Sequence, residues 1–160
     1  MTVRCQDWRQ ILMTVTRVDI IDRSVEKAHV WINDLAEELG SEDPRYAYRV
    51  LRAFLHALRD HLSVDEAAAL GAQLPTFVRG VFYEGWDPSR TPEHARDLDH
   101  FLRRVASDAR LAGETEASFA AAAANRVLDR HVSEGEAQSV LDVLPSRLRD
   151  LLKENGAAHR

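Results

Sequence analysis

The chain reads "LRDHLSVDEAAALGAQLP" from Leu58 to Pro75 and "LDRHVSEGEAQSVLDVLP" from Leu128 to Pro145. A shift of 70 residues superimposes the two stretches without a gap. Between Leu58 and Arg79, 8 of 22 positions match their counterparts, where about one or two would coincide at ordinary residue frequencies. The same shift pairs Trp31 with Phe101, Ile32 with Leu102, Leu35 with Val105 and Ala47 with Ala117. The repeated residues are caps, turns and apolar positions. The pattern predicts an all-α protein of two tandem four-helix repeats packed into one helical bundle, because each repeat alone is small for a self-sufficient core. A residue kept in both halves is then expected to serve the fold before it serves a single site.

Local signals place the helices. Ser24 reads as an N-cap, Gly40 as a stop, and Val25, Ala28, Ile32, Leu35, Ala36 and Leu39 share one face between them. Asp43 and Pro44 open a second helix whose apolar stripe is Ala47, Val50, Leu51, Phe54, Leu58 and Leu62. Ser63 and Glu66 have the spacing of a capping box, as do Ser133 and Glu136. Pro75 is expected to begin a short fourth helix with Phe77, Val78, Val81 and Phe82 on its apolar side. After the turn-rich stretch "GWDPSRTP", Thr91 and Pro92 are expected to open the next helix, which carries Leu98, Phe101, Leu102, Val105 and Ala109. The predicted layout is an N-terminal extension at 1–23, a first repeat at 24–84, a linker at 85–92, a second repeat at 93–154 and a disordered tail at 155–160. Trp8, Ile11, Leu12 and Val15 have helical spacing, so the extension could carry a short added helix.

Composition narrows the function classes. No stretch approaches the roughly 20 apolar residues that span a bilayer. The start "MTVRCQDWRQ" lacks the apolar core of a signal peptide, which predicts a cytoplasmic protein. The single cysteine, Cys5, cannot form an internal disulfide or a thiolate-rich metal site. A net charge of −5 argues against a mainly electrostatic nucleic-acid binder, although a local basic patch remains open.

Candidate sites each carry two readings. Arg45, Arg49, Arg52, His56 and Arg59 fall in one stripe along the second helix. They read as an interaction surface for a protein partner or for a nucleic acid, or as a solvated face paired with neighbouring carboxylates. Their counterparts are Thr115, Phe119, Ala122, Arg126 and Asp129, so the stripe does not belong to the repeated pattern. Trp31, Tyr48, Arg79, Tyr83 and Trp86 read as the lining of a cleft between the repeats, or as aromatic packing at their seam. Arg79 recurs as Arg149, which favours a capping role. His61 and His131 read as a ligand pair or, preferably, as donors near helix C-termini. Glu26 with His29, and Asp97 with His100, have the spacing of helical di-metal ligands, but they sit beside the inferred core stripe. No nucleophile elbow, phosphate loop, zinc pattern or cofactor motif is found, so no catalytic, cofactor-binding or metal residue is assigned.

The stretches "VEKAHVWINDLAEELG", "AYRVLRAFLHALRDHLSVDEAAALGAQLPTFVRGVFYEGW" and "EAQSVLDVLPSRLRDLL" make the chain, from about Val18 to Leu152, resemble a bacterial family catalogued as domain of unknown function 2267. The resemblance implies a small all-helical bacterial protein and implies no reaction, cofactor or partner. Family members often begin near "MTVTRVDIIDRSVEKA", here starting at Met13, so residues 1–12 are expected to be an extension or the product of an upstream start codon. The expected function is a non-catalytic interaction or regulatory module that binds a protein partner or itself. Nucleic-acid binding through the arginine stripe and small-molecule binding between the repeats are the alternatives.

Overall fold

A computed structural model describes residues 18–94 and 96–154. Among these residues are eight α-helices and no strand. They are α1 (Asp19–Leu39), α2 (Pro44–His61), α3 (Val64–Gln73), α4 (Thr76–Tyr83), α5 (Leu98–Ala109), α6 (Glu114–His131), α7 (Glu134–Val143) and α8 (Ser146–Glu154). A 3₁₀ turn at Pro88–Arg90 lies between α4 and α5. The bounds of α2 and α6, and of α3 and α7, coincide at both ends under the 70-residue shift. Cys5, Trp8, Ile11, Leu12, Val15 and the predicted tail lie outside the described residues.

The helices share one interior. Buried side chains from Trp31 to Leu152 form a continuous cluster. Two helices run through its middle. Every position of α2 from Ala53 to His61 is buried, and α6 is buried from Ala120 to Asn125. The run of small side chains on α6 lets α1, α2, α5 and α8 approach it closely. α1 packs on α2 and α6, while α5 packs on α6 and α2; α3 meets α7. Exchanging α1–α4 for α5–α8 therefore maps these contacts onto one another. Phe54, Phe82 and Phe101 are completely buried, and each such side chain contributes about 1.5–3 kcal/mol by leaving water.

Several local signals hold. Gly40 ends α1 with a φ of 63°, a left-handed conformation that glycine adopts without penalty. The Asp43 carboxylate accepts from the Arg45 amide at the start of α2, where Pro44 has no amide to satisfy. Ser63 and Glu66 form both bonds of a capping box, so α2 stops and α3 starts almost without a loop. In the corresponding place the Ser133 hydroxyl accepts from the Glu136 amide. The predicted stripe of α2 is buried throughout.

Two helix starts differ from expectation. α1 begins at Asp19, not near Val25, and Asp19 and Asp22 in its first turn favour the positive end of the helix dipole. Ser24 is consequently inside α1, and its hydroxyl accepts from the Phe77 amide at the start of α4. It compensates for Pro75, which is the N-cap of α4 but offers no side-chain acceptor. α5 begins at Leu98, not at Pro92. Asp97 caps it by accepting from the His100 amide, while the Glu93 amide donates to the Asp60 carbonyl and holds the preceding segment out of the helix. The earlier start of α1 leaves its first turns projecting beyond the core. Val25, expected inside, is 41% exposed there.

Candidate functional site

The arginine stripe does not form an open surface. Only Arg45 is exposed; Arg49 and Arg52 are half-buried, and His56 and Arg59 are buried. The Arg49 Nε donates to the Ala109 carbonyl at the end of α5, at 3.3 Å. Arg52 grips Glu84 through two bonds of 2.9 and 3.2 Å. His56 donates from Nε2 to the Val81 carbonyl at 2.6 Å. Burial pushes its imidazolium pKa down, against the opposing pull of that carbonyl. Arg59 donates to the Phe82 and Glu84 carbonyls at 2.8 and 2.9 Å and to the Asp60 carboxylate at 2.8 Å. Helix C-termini leave carbonyls without intrahelical donors, and the stripe supplies donors to the end of α4. Its absence from the repeated pattern therefore does not mean that the fold can spare it: the first half needs it to seat α4.

The residues expected to line one cleft separate into two groups and one outlier. Tyr83 and Trp86 stack at 5.3 Å, and the Tyr83 hydroxyl donates to the Ala67 carbonyl at 3.3 Å. Gly71 lies directly beneath Tyr83, where a Cβ would collide with the phenol. Tyr48 is half-buried and joins neither group. Trp31 and Arg79, by contrast, share the rim of a hollow of ≈ 660 Å³. Arg79 has the expected capping role: it donates to the carbonyls of Gly71, Ala72 and Leu74 at 2.7, 3.2 and 3.0 Å. Arg149 donates likewise to the Leu144 carbonyl at 3.2 Å.

The hollow lies where α1, the α3–α4 turn and the end of α6 meet. Arg23, Lys27, Arg79 and His131 contribute its cationic or basic groups, and among the described residues no Asp or Glu lines it. Ile20, Val30 and Trp31 supply apolar walls. Ile20 is 73% exposed and Val30 48%. Arg23 and Lys27 are exposed as well. His131 is stacked on Trp31 at 4.8 Å and bonded through Nε2 to the Asp34 carboxylate at 2.6 Å. Asp34 and Glu38 also hold Arg130, and Glu38 holds Arg126 at 2.7 Å. Burial alone would raise the Glu38 carboxyl pKa; its bonds to Arg126 and Arg130 hold it below the ordinary value.

The other histidine has different company. His61 is completely buried, donates from Nδ1 to the Ala57 carbonyl at 2.8 Å and meets Phe101 edge-on at 5.4 Å. The ligand-pair reading is not supported: His61 and His131 end in separate surroundings. Beside His61, Arg104 bonds Asp60 and Glu93, each at 2.6 Å, and His100 bonds Glu93 at 2.9 Å. Burial would raise the Asp60 carboxyl pKa, but Arg59 and Arg104 hold it below the ordinary value. Glu26 and His29 are both exposed on α1. Among the described residues no three His, Cys, Asp or Glu side chains converge as metal ligands. No described helix is long and apolar enough to cross a membrane.

Sequence reasoning missed Arg23, Lys27 and His131 as neighbours of Trp31 and Arg79. A signal was present in the charges under the 70-residue shift: Arg23 faces Glu93, Lys27 faces Asp97, Asp34 faces Arg104 and Arg130 faces Asp60. Those sign reversals mark the places where the two halves do different things.

Fold and site together define an all-helical bundle with one interior and an open basic hollow at one of its corners. The chain belongs to the family described as "Uncharacterized conserved protein (DUF2267)", whose match covers residues 28–151. Trp31, Arg79 and His131 fall inside that match, and Arg23 and Lys27 precede it. No curated protein matches the chain.

Proposed function

We propose that the chain is a non-catalytic interaction module and that a protein partner docks at the hollow bounded by α1, the α3–α4 turn and the end of α6. The observation that carries this reading is the lining: among the described residues it holds Arg23, Lys27, Arg79 and His131 and no carboxylate, flanked by the exposed apolar side chains of Ile20 and Val30. Cationic donors beside accessible apolar surface are the ingredients of a recognition site. The groups whose protonation is displaced inside the bundle, among them Asp60, His56 and His61, are held by capping and pairing contacts, which favours binding over chemistry. The arginine stripe supports a nucleic-acid reading less, because Arg49, Arg52, His56 and Arg59 already serve the chain's own carbonyls and carboxylates.

On this reading the shift of 70 is an internal duplication. One copy kept its corner closed and the other opened it for a partner. The module works in a bacterial cytoplasm, in keeping with a net charge of −5 and a single cysteine.

Photo-crosslinking in the native cell tests the proposal. A photoreactive residue at Ile20 is expected to capture a defined protein that the same residue at Phe119 does not. Phe119 is an exposed apolar position on α6 that does not line the hollow. Identical adducts at both positions, or none at Ile20, would overturn it.

A further inference from the structure

The bundle contains an internal precedent for what fills the hollow. The 70-residue shift turns His131 into His61, Trp31 into Phe101, Arg79 into Arg149, Pro75 into Pro145 and Gln73 into Val143. At the His61 corner the aromatic contact is preserved in kind: His61 meets Phe101 as His131 meets Trp31. There, however, the non-helical stretch before α5 lies across the corner. The Glu93 amide donates to the Asp60 carbonyl at 2.8 Å, and Arg96 donates to the Val143 carbonyl at 3.2 Å. Glu93, Arg96 and His100 surround His61, which is left with no exposed surface.

At the His131 corner the matching residues belong to the projecting first turns of α1, and no stretch of described chain crosses it. The His131 side chain is 23% exposed. The Gln73 carbonyl, counterpart of the one that Arg96 satisfies, meets no donor among the described residues. The charges are also reversed. Where the closed corner carries Glu93 and Asp97, the open one carries Arg23 and Lys27. Neither has a partner among the described residues.

Accepting the hollow as a docking site, we infer that its occupant is an acidic, non-helical peptide segment of another protein, laid across this corner as the described residues 91–94, 96 and 97 are laid across the other. The segment's carboxylates meet Arg23 and Lys27, a backbone amide takes the place at the Gln73 carbonyl that the Arg96 guanidinium holds at the Val143 carbonyl, and an apolar side chain rests between Ile20 and Val30. A small organic anion would satisfy the cations but would offer neither the amide donor nor the apolar contact. The protein's own stretch before α5 provides the backbone pattern, and the reversed charges decide the sign of the occupant.

Fluorescence anisotropy with a defined probe tests the inference. The probe is an N-acetylated, fluorophore-labelled peptide of alternating leucine and glutamate, compared with its leucine–lysine counterpart. The glutamate peptide is expected to bind the full chain and the lysine peptide is not. The double variant Arg23→Glu, Lys27→Glu should weaken binding by about tenfold or more. Added salt should weaken it too, because exposed charges are screened. Arg23 and Lys27 are exposed, so the variant should melt as the wild type does, and circular dichroism checks that it has folded. Equal binding of both peptides, indifference to the double variant, or full competition by glutarate or inorganic phosphate would overturn the inference. If crosslinking at Ile20 captures a protein while the glutamate peptide fails to bind, the docking site stands and its acidic peptide occupant does not. If Ile20 captures nothing, the docking site itself falls.

Discussion

At the end of α2, His61 sits under a lid of the chain's own making, and at the end of α6 the partly exposed His131 lines a hollow that no described segment crosses. The two positions are 70 residues apart, at matching ends of helices with matching bounds. Both rings rest on an aromatic side chain of the opposite half. What differs is the chain that leads into the flanking helix. Before α5 it stays out of the helix, carries Glu93 and Asp97, and ties itself to the Asp60 carbonyl. In α1 it is already helical, projects past the core and carries Arg23 and Lys27. The lesson is that one scaffold gives a structural corner or a candidate binding corner according to whether a short segment coils early or late.

The largest expected effect comes from removing the anchor of the closed corner. The Asp60 side chain is 10% exposed and bonds Arg59 and Arg104 at 2.8 and 2.6 Å. Asp60→Asn would deprive the buried Arg59 and the half-buried Arg104 of their shared carboxylate, and breaking a buried pair costs about 3 kcal/mol or more. Its open-corner counterpart by function is Asp34, 26% exposed and bonded to His131 and Arg130. Asp34→Asn should cost about 1 kcal/mol or less. Urea denaturation of both variants measures the contrast, and equal losses would break it. The Asp60 contribution also has a pH signature. Its folded pKa lies below the unfolded one, so the contribution is complete above about pH 4 and is lost as pH falls through the lowered folded value.

The histidines sharpen the comparison on the other side of neutrality. Burial lowers the pKa of His61 against the pull of the Ala57 carbonyl. An unfolded histidine takes up its proton near pH 6.5, before the folded one does. Stability linked to His61 is therefore complete above about pH 6.5 and falls as the pH is lowered from there. His56, buried against the Val81 carbonyl, acts in the same direction. Denaturation midpoints of His61→Gln between pH 7 and pH 5 should fall less steeply than those of the wild type. An unchanged slope in His61→Gln would show that the closed corner is not sealed against protons.

How much of this was legible depended on whether the cause was local. The Asp43–Pro44 start, the Ser63–Glu66 box and the Gly40 stop each involve a few adjacent residues, and each forms as read. The start of α1 was misplaced because Val18 offers no capping side chain, whereas Ser24 offers one that turns to a different helix. The arginine stripe was legible as a stripe but not as a clamp. Its burial depends on α4 laying its carbonyl end against α2, which no spacing within α2 reveals. Of the five residues read as one cleft, Trp31 and Arg79 line the hollow beside the α3–α4 turn and Tyr48, Tyr83 and Trp86 do not, a separation that depends on packing between helices. Arg23 and Lys27 were overlooked because helical periodicity weighs apolar positions. The charge reversals against Glu93 and Asp97 appear only when the halves are aligned and their differences are weighed.

The smallest effect isolates backbone from charge. The 70-residue shift pairs Gly40 with Arg110, and both end their helices in the left-handed region, with φ of 63° and 58°. For glycine this conformation is free of steric penalty, and for an L-residue with a Cβ it costs about 1 kcal/mol. Arg110 keeps the same hydrogen-bonding job, its amide meeting the Ala106 and Ser107 carbonyls as that of Gly40 meets Ala36 and Glu37. Arg110→Gly should therefore stabilise the bundle by somewhat less than about 1 kcal/mol, because glycine also loses more chain entropy on folding. Gly40→Ala should destabilise it by a similar amount. Thermal melts of the two variants test this directly. Opposite signs would show that the turns after α1 and α5 are interchangeable parts of one plan, which leaves the segments before those helices to account for the different corners. A loss of stability in Arg110→Gly would mean that the arginine side chain supports its turn through contacts that Gly40 never needed, and the divergence of the two halves would then reach both ends of the helix.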